Sequence, residues 1–420
     1  MKEKIITAID LGSFKTCAII ASLQEHNKIE IKGIGVAESM GIDNGLVRDL
    51  QATSESIQRA IEIAEEQAKI PAENIFTAIS GQHIFGKNAA GRVSIANGNQ
   101  ASEIDQMHIE SVINDAKNSI KMQAGTEHLE ILHCIPQVYD IDSQKGILNP
   151  IGMTGFSMTV HTYIILAEAN HLRNIRKAFD MAGFDEPTIV LGSIATAEAV
   201  TNEDEKKLGC IVLDIGGGTS DITIFKDGFM AMNICVPKGG KLLTNDLAVG
   251  LRTPPKFAEE LKLEYGNANN AEVDPEATVL IEGIGGRAAV TKSLSFIAEI
   301  TQIRVNEILE TCYKNILAEF PYLDSLTAGM IITGGTALIK NINLPVDEVF
   351  NMPCKIGYPE TVRFSGAVSR LESPDFATVI GLLFYSINND KVFSKRTVIA
   401  NYSNTMNNVF KSIKKFFAEL

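Results

Sequence analysis

The sequence predicts an α/β protein of two related halves set around a cleft, and three glycine-bearing turns carry that prediction. The first lies near the start of the chain. There IITAIDLGSFKTCAIIASL reads as a β-rich run ending at Asp10, a turn containing Gly12 and Ser13, and a second apolar run from Cys17. The second is VLDIGGGTSDITIF, Val212 to Phe225: a run ending at Asp214, a turn from Gly216 to Ser220, and the returning run DITIF. Both share the order Asp, apolar, Gly, small or polar residues, strand, so each half reads as beginning with a β-hairpin. The third turn is Gly334-Gly335 in GMIITGGTALIKNI, where a β-branched strand meets TALIKNI. That segment reads as a helix start with Thr336 as its N-cap.

Composition bounds the alternatives. A chain of 420 residues exceeds one small domain. Its formal net charge of -13 argues against a general nucleic-acid binder, whose phosphate contacts need a broad basic face. Cys17, Cys134, Cys210, Cys235, Cys312 and Cys354 are scattered, mostly in apolar runs, without a C-x-x-C pair. They read as reduced core residues of a cytoplasmic protein. The N-terminus resembles no signal peptide, because its apolar run is short and broken by Asp10. No stretch approaches the roughly 18 apolar residues of a membrane span.

The hairpins separate competing phosphate-binding schemes. A P-loop requires G-x-x-x-x-G-K-[ST] running into a helix, and no such match exists. A dinucleotide fold also needs a helix after its glycines, so that the pyrophosphate caps it. Here SDITIF alternates and is β-branched, so Gly216, Gly217 and Gly218 belong to a hairpin tip. Two such tips would close on a polyphosphate from opposite sides. Backbone N–H groups of Gly12, Ser13, Gly217, Gly218 and Thr219 would cradle its oxygens. Ser13 and Thr219 add hydroxyl donors, and Lys15 neutralises phosphate charge. Asp10 and Asp214 beside an anion imply an intervening cation, best a hydrated Mg²⁺ whose waters the carboxylates hold. At Gly334, Gly335 and Thr336 the bare backbone lets a flat adenine or ribose approach. Any one glycine turn alone is an ordinary tight turn; the pair of Asp-x-Gly hairpins is what points to a nucleotide.

The end of the chain changes character. Residues 388–405 are polar and aperiodic, which reads as a flexible linker. In residues 406–420, Val409, Phe410, Ile413, Phe416, Phe417 and Leu420 fall on one helical face, while Lys411, Lys414 and Lys415 lie on the remainder. A basic amphipathic helix after a linker reads as an anchor on an anionic membrane surface; the alternative is a terminal helix docked on the protein's own core. One such tail is a marginal anchor, and a polymer displaying many would bind by avidity.

Together these elements resemble the actin, Hsp70 and sugar-kinase ATPase superfamily. DLGSFKT is similar to its first phosphate loop, DIGGGTSD to its second and ITGGTALI to its adenosine loop. LGSIATAEAV and PDFATVIGLLFYS are similar to its two connecting helices, and all five occur in the expected order. GIDNGLVRDLQATSESIQRAIEIAEEQA, NIFTAISGQHIFGKNAAGRVSI, HLEILHCIPQVYDID and VPKGGKLLTNDLAVGLRTPPKFAEELK resemble, more narrowly, the FtsA family of actin-like bacterial cell-division proteins.

That resemblance implies an actin-like ATPase fold with an inserted subdomain, 1C, of the SHS2 type. It implies subdomain 1A over 1–83, 162–192 and 360–387, 1C over 84–161, 2A over 193–245 and 316–359, and 2B over 246–315. It implies Glu259 and Lys262 as ribose or adenine contacts, and Lys238, Gly239 and Gly240 as cleft residues. No residue matches the water-orienting position outright, with Glu198 in the first connecting helix the candidate, so turnover is expected to be slow or conditional. Implied partners are copies of the chain itself in a filament, the C-terminal peptide of the tubulin-like GTPase FtsZ, and later division proteins. Arg287 and Arg304 are candidates for the peptide contact. The implied location is the cytoplasmic face of the cell membrane at the division site. Two alternatives share the core: the pilus-assembly homologue PilM, which the tail argues against, and a sugar or metabolite kinase, for which no base motif is present.

Overall fold

A computed structural model describes residues 3–24, 28–123 and 125–387. The proposed linker and anchor, with Val409, Phe410, Lys411, Ile413, Lys414, Lys415, Phe416, Phe417 and Leu420, lie outside the described residues.

The first hairpin forms as its alternation and turn require. Strand Lys4–Leu11 pairs antiparallel with Lys15–Leu23, which pairs antiparallel with Ile29–Glu38. On the other side Lys4–Leu11 runs parallel to Ile75–Ile79, and that strand parallel to Thr188–Leu191. The second half repeats the arrangement. Phe229–Val236, Ser220–Lys226 and Cys210–Ile215 form an antiparallel meander, followed by Met330–Thr333 and Cys354–Ile356 in parallel. The internal repeat therefore extends from the hairpins to five strands in the same order, with one extra edge strand, Phe364–Gly366, in the first half. The inner strands are buried on both faces, so they read as near-continuous apolar runs.

Helix Leu50–Ala68, capped by Asp49 through Ala52 N, packs on the first sheet. Two helices join the halves. Gly192–Val200 follows strand Thr188–Leu191, and helix 377–387 follows the 3-10 turn Pro374–Phe376. They cross so closely that a Cβ on Gly381 would overlap the Ala195 carbonyl oxygen.

The insert has its own antiparallel sheet, in the order Gln144–Ile147, Leu129–Ile141, Ser157–Glu168, Ile84–Ser94. Helix Gln106–Lys121, started by an Asp105–His108 capping box, covers it with Ile109, Val112 and Ala116. The insert also reaches the second half. Tyr163 Oη donates to Asn233 Oδ1 (2.9 Å) and accepts from Asn233 N (3.0 Å), and Gln137 Nε2 donates to Met230 O (2.9 Å). A further group in the second half gathers helices Gly240–Leu251 and Pro255–Tyr265, hairpin Thr278–Ile281/Val290–Ser293 and helix Leu294–Glu319 around Leu247, Leu261 and Ile297.

One local expectation is corrected. TALIKNI does not start an α-helix: Gly335–Leu338 is a 3-10 turn, and the α-helix begins only at Asn343. Asn341 is left-handed at φ 60°, which interrupts any helix. Thr336 is not an N-cap either, because its hydroxyl donates to Gly216 O at 3.1 Å, across to the second hairpin.

Candidate nucleotide cleft

The two hairpin tips meet. A Cβ on Gly218 would stand 2.6 Å from Ser13 Oγ and 2.8 Å from Ser13 Cβ, so only glycine permits this approach. The Gly216–Thr219 turn closes on itself through Gly216 N to Thr219 O at 2.9 Å. It is braced from below by Gly240 N to Gly216 O (2.9 Å) and Lys241 N to Gly217 O (2.8 Å). Gly334 is left-handed at φ 85°, and a Cβ there would overlap Asp214 Oδ1. The third glycine turn is thereby packed onto the second hairpin.

Between these turns lies a cleft lined by Asp10, Gly12, Ser13, Lys15, Asp214, Gly216, Gly217, Gly218, Thr219, Gly240, Glu259, Lys262, Gly334, Gly335 and Thr336. Glu259 and Lys262 form an ion pair at 2.7 Å, and Thr244 bonds both. Gly239 sits beneath the second hairpin rather than on the wall; a Cβ there would meet Gly216 O at 2.6 Å.

Two more expected cleft residues stand outside the lining. Glu198 points away from the cleft to Lys206, at 2.8 Å, because the helical register turns Thr196 inward instead. Lys238 is bound to Glu307 (2.7 Å) and Thr311 (3.2 Å), outside the cleft lining. Of the two partner-contact candidates, Arg304 bonds Asp246 (3.0 Å through Nη2) and Glu307, and Arg287 follows the 3-10 turn Ile284–Gly286.

The cleft also contains residues that the sequence reading did not single out. Asp221 lies directly opposite Asp214 in the hairpin register. Opposed residues of an antiparallel pair share one face, so a register argument would have found it. Ser80, just past strand Ile75–Ile79, donates to Asp221, and Thr219 Oγ1 donates to Asp221 Oδ2 at 2.9 Å. Thr196 and Thr378, one from each linking helix, reach Asp214 Oδ2 at 2.9 and 3.2 Å. Asp375 pairs with Lys15.

Electrostatically the cleft is crowded with carboxylates. Burial raises Asp10 to about 6 and Asp214 to about 7, and it raises Asp221 as well. Lys15 opposes the shift at Asp10, whereas Asp221 reinforces it at both. Buried groups disfavoured as anions are groups that a cation would stabilise. Among the described residues no set of three or more His, Cys, Asp or Glu side chains is arranged to hold a metal ion directly. The donor set fits a hydrated ion, held through its waters.

The family profile described as "Cell division protein FtsA" matches residues 211–381, and "SHS2 domain inserted in FTSA" matches 81–166. Cell division protein FtsA of Pseudomonas aeruginosa is 33% identical over 384 residues, covering 91% of this chain and 89% of that protein. The chain belongs to the FtsA family. FtsA of Escherichia coli K12 is 32% identical over 389 residues, covering 91% and 90%.

Solved structures place the FtsA fold among actin-like proteins. The PilM-PilN type IV pilus biogenesis complex aligns with TM-score 0.61 at 12% identity, covering 90% of this chain and 98% of that one. MreB5 of Spiroplasma citri bound to AMPPNP aligns with TM-score 0.55 at 14% identity, covering 93% and 98%. The MamK double helical filament aligns with TM-score 0.51 at 11% identity, covering 91% and 98%. The fold that the resemblance implies is thus the fold found, an actin-like core carrying an SHS2 insert. The six cysteines are all free. No described helix is long and apolar enough to cross a membrane.

Proposed function

We propose that this FtsA-family chain binds ATP with a hydrated Mg²⁺ in the cleft and assembles into actin-like filaments on the inner membrane surface. There it ties the FtsZ ring to the membrane and recruits later division proteins. The observation that carries the reading is the contact of the two hairpin tips above the paired Asp214 and Asp221, with Asp10 on the opposing strand end.

In this reading the backbone of Gly12, Ser13, Gly217, Gly218 and Thr219 takes the phosphates, with Lys15 as their mobile cation. Asp10 and Asp214, with Asp221 beside them, hold the ion's water shell. Bound Mg²⁺ supplies charge neutralisation between phosphate oxygens. Glu259 and Lys262 face the ribose or adenine, and Gly334, Gly335 and Thr336 its far side. With Glu198 bound to Lys206, no described residue takes the water-orienting role by sequence pattern, which fits slow ATP turnover at most.

Self-assembly is supported by the actin-like fold and by the filament that MamK forms. Membrane attachment is supported by the one-sided apolar pattern of residues 406–420, and a hold on FtsZ's C-terminal peptide through Arg304 and Arg287 by the family resemblance. The deciding experiment deletes residues 406–420 and compares sedimentation with anionic liposomes and binding of the FtsZ C-terminal peptide. The expected result is loss of sedimentation with peptide binding retained. Equal sedimentation of the shortened chain overturns the anchor. An intact chain that ignores the peptide and phosphorylates a small metabolite is instead a kinase. Asp214→Ala is expected to abolish Mg²⁺-dependent ATP binding.

A further inference from the structure

Lys15, the cation of the first hairpin tip, is already engaged. It forms an ion pair with Asp375, and its Nζ stands 3.7 Å from the centre of the Phe376 ring. The two side chains are 19% and 27% exposed, so the pair is largely withdrawn from water, yet both residues line the cleft. Asp375 also accepts a hydrogen bond from Ser373 Oγ. It sits in the turn Pro374–Phe376 that opens helix 377–387, and Pro374 O accepts from Gly334 N and Thr333 Oγ1, each at 3.3 Å. One short turn therefore holds the first hairpin's cation and the backbone of the third glycine turn.

We infer that Asp375 is the resident counter-ion of Lys15, and that a nucleotide's phosphate must take Lys15 from it in order to bind. Asp375 is then a specificity-determining residue, weakening phosphorylated nucleotides relative to the nucleoside. The inference rests on the nucleotide reading above. Lysine suits such an exchange, being a compact charge on a flexible stem with three rotatable donors. A phosphate entering between the tips meets Asp10, Asp214, Asp221 and Asp375 on the same walls. Whatever Lys15 gains from the phosphate is reduced by what it gives up at Asp375, which keeps its hydrogen bond from Ser373 when the lysine leaves. Adenosine brings no phosphate to Lys15 and does not disturb the pair.

The test measures binding of a fluorescent ATP analogue to the full chain with Mg²⁺, with ATP and adenosine as competitors. Asp375→Asn is expected to tighten ATP at least about fivefold, the scale of a half-buried ion pair, and to leave adenosine within about twofold. Asp375→Glu, which keeps the charge, is expected to behave as wild type. Lys15→Met is expected to weaken ATP, and adding Asp375→Asn to it is expected to change nothing further. Unchanged or weaker ATP binding by Asp375→Asn, beside a wild type that binds, overturns the exchange. So does an equal shift for adenosine, or persistence of the tightening without Lys15. A folded wild type that binds neither ligand overturns the nucleotide reading itself, and the exchange with it.

Discussion

Thr196 Oγ1 and Thr378 Oγ1 lie 2.9 Å apart, and both reach the same oxygen of Asp214. Each threonine belongs to one of the two helices that join the halves. The carboxylate at the end of the second half's central strand is thereby tied to both linkers.

The closeness of the helices makes Gly381 sensitive. A methyl group there overlaps Ala195 O, which is backbone and cannot turn aside. Gly381→Ala is expected to lower unfolding free energy by about 2 kcal/mol, within the range for overpacked cores, and to shift the chemical denaturation midpoint accordingly. An unchanged midpoint contradicts the crossing geometry.

The buried carboxylates impose a pH dependence. Asp214 at about 7 and Asp10 at about 6 are both raised above the ordinary 3.8 by burial. The folded state then binds more protons than the unfolded state between about pH 4 and pH 7, so these groups stabilise it below that window. Their contribution is lost as pH rises through the folded values. Without nucleotide or divalent cation, the fall in Tm from about pH 5 to about pH 8 is expected to be smaller in Asp214→Asn than in wild type. Equal slopes rule out Asp214 as the source.

Tyr163 fastens the insert to the second half. Tyr163→Phe strands the buried Asn233 N–H and Oδ1, which costs about 1–3 kcal/mol. The expected local signature is faster amide exchange in Phe229–Val236, read by hydrogen exchange mass spectrometry. Exchange that quickens only in the insert itself speaks against a bridge between halves.

Glu198 is expected to behave as a structural residue. Glu198→Gln leaves Lys206, only 10% exposed, with Glu203 at 3.7 Å as its remaining carboxylate. A loss of about 1 kcal/mol in stability with unaltered ATP turnover is the expected pattern. A turnover defect at full stability restores Glu198 to the chemistry.

Much of this was legible in the residues. Asp10, Asp214 and the glycines after them announced the two hairpins, because strand alternation and hairpin turns are local and leave a local trace. The wall residues Ser80, Asp375 and Thr378, and Thr196 behind them, left no such trace. Each is an ordinary small or polar residue until the linking helices and the neighbouring strand end bring it to Asp214, Asp221 or Lys15. Thr336 shows the limit from the other side: local pattern made it a helix cap, and a contact 120 residues away, with Gly216 O, claimed its hydroxyl.

By itself, the sequence determined the periodicities, the repeated hairpin, the insert's presence and the family. The periodicities and the hairpins follow from short-range sterics and apolar spacing, which the chain carries wherever it folds; the insert and the family follow from the resemblance of whole segments. Only the tertiary structure decided that the two tips touch, that Glu198 pairs with Lys206 outside the cleft lining, and that Lys15 already has a counter-ion in Asp375. Those outcomes depend on helical register and on packing between segments hundreds of residues apart. Burial and charge pairing there are set by the whole fold rather than by neighbours in the chain.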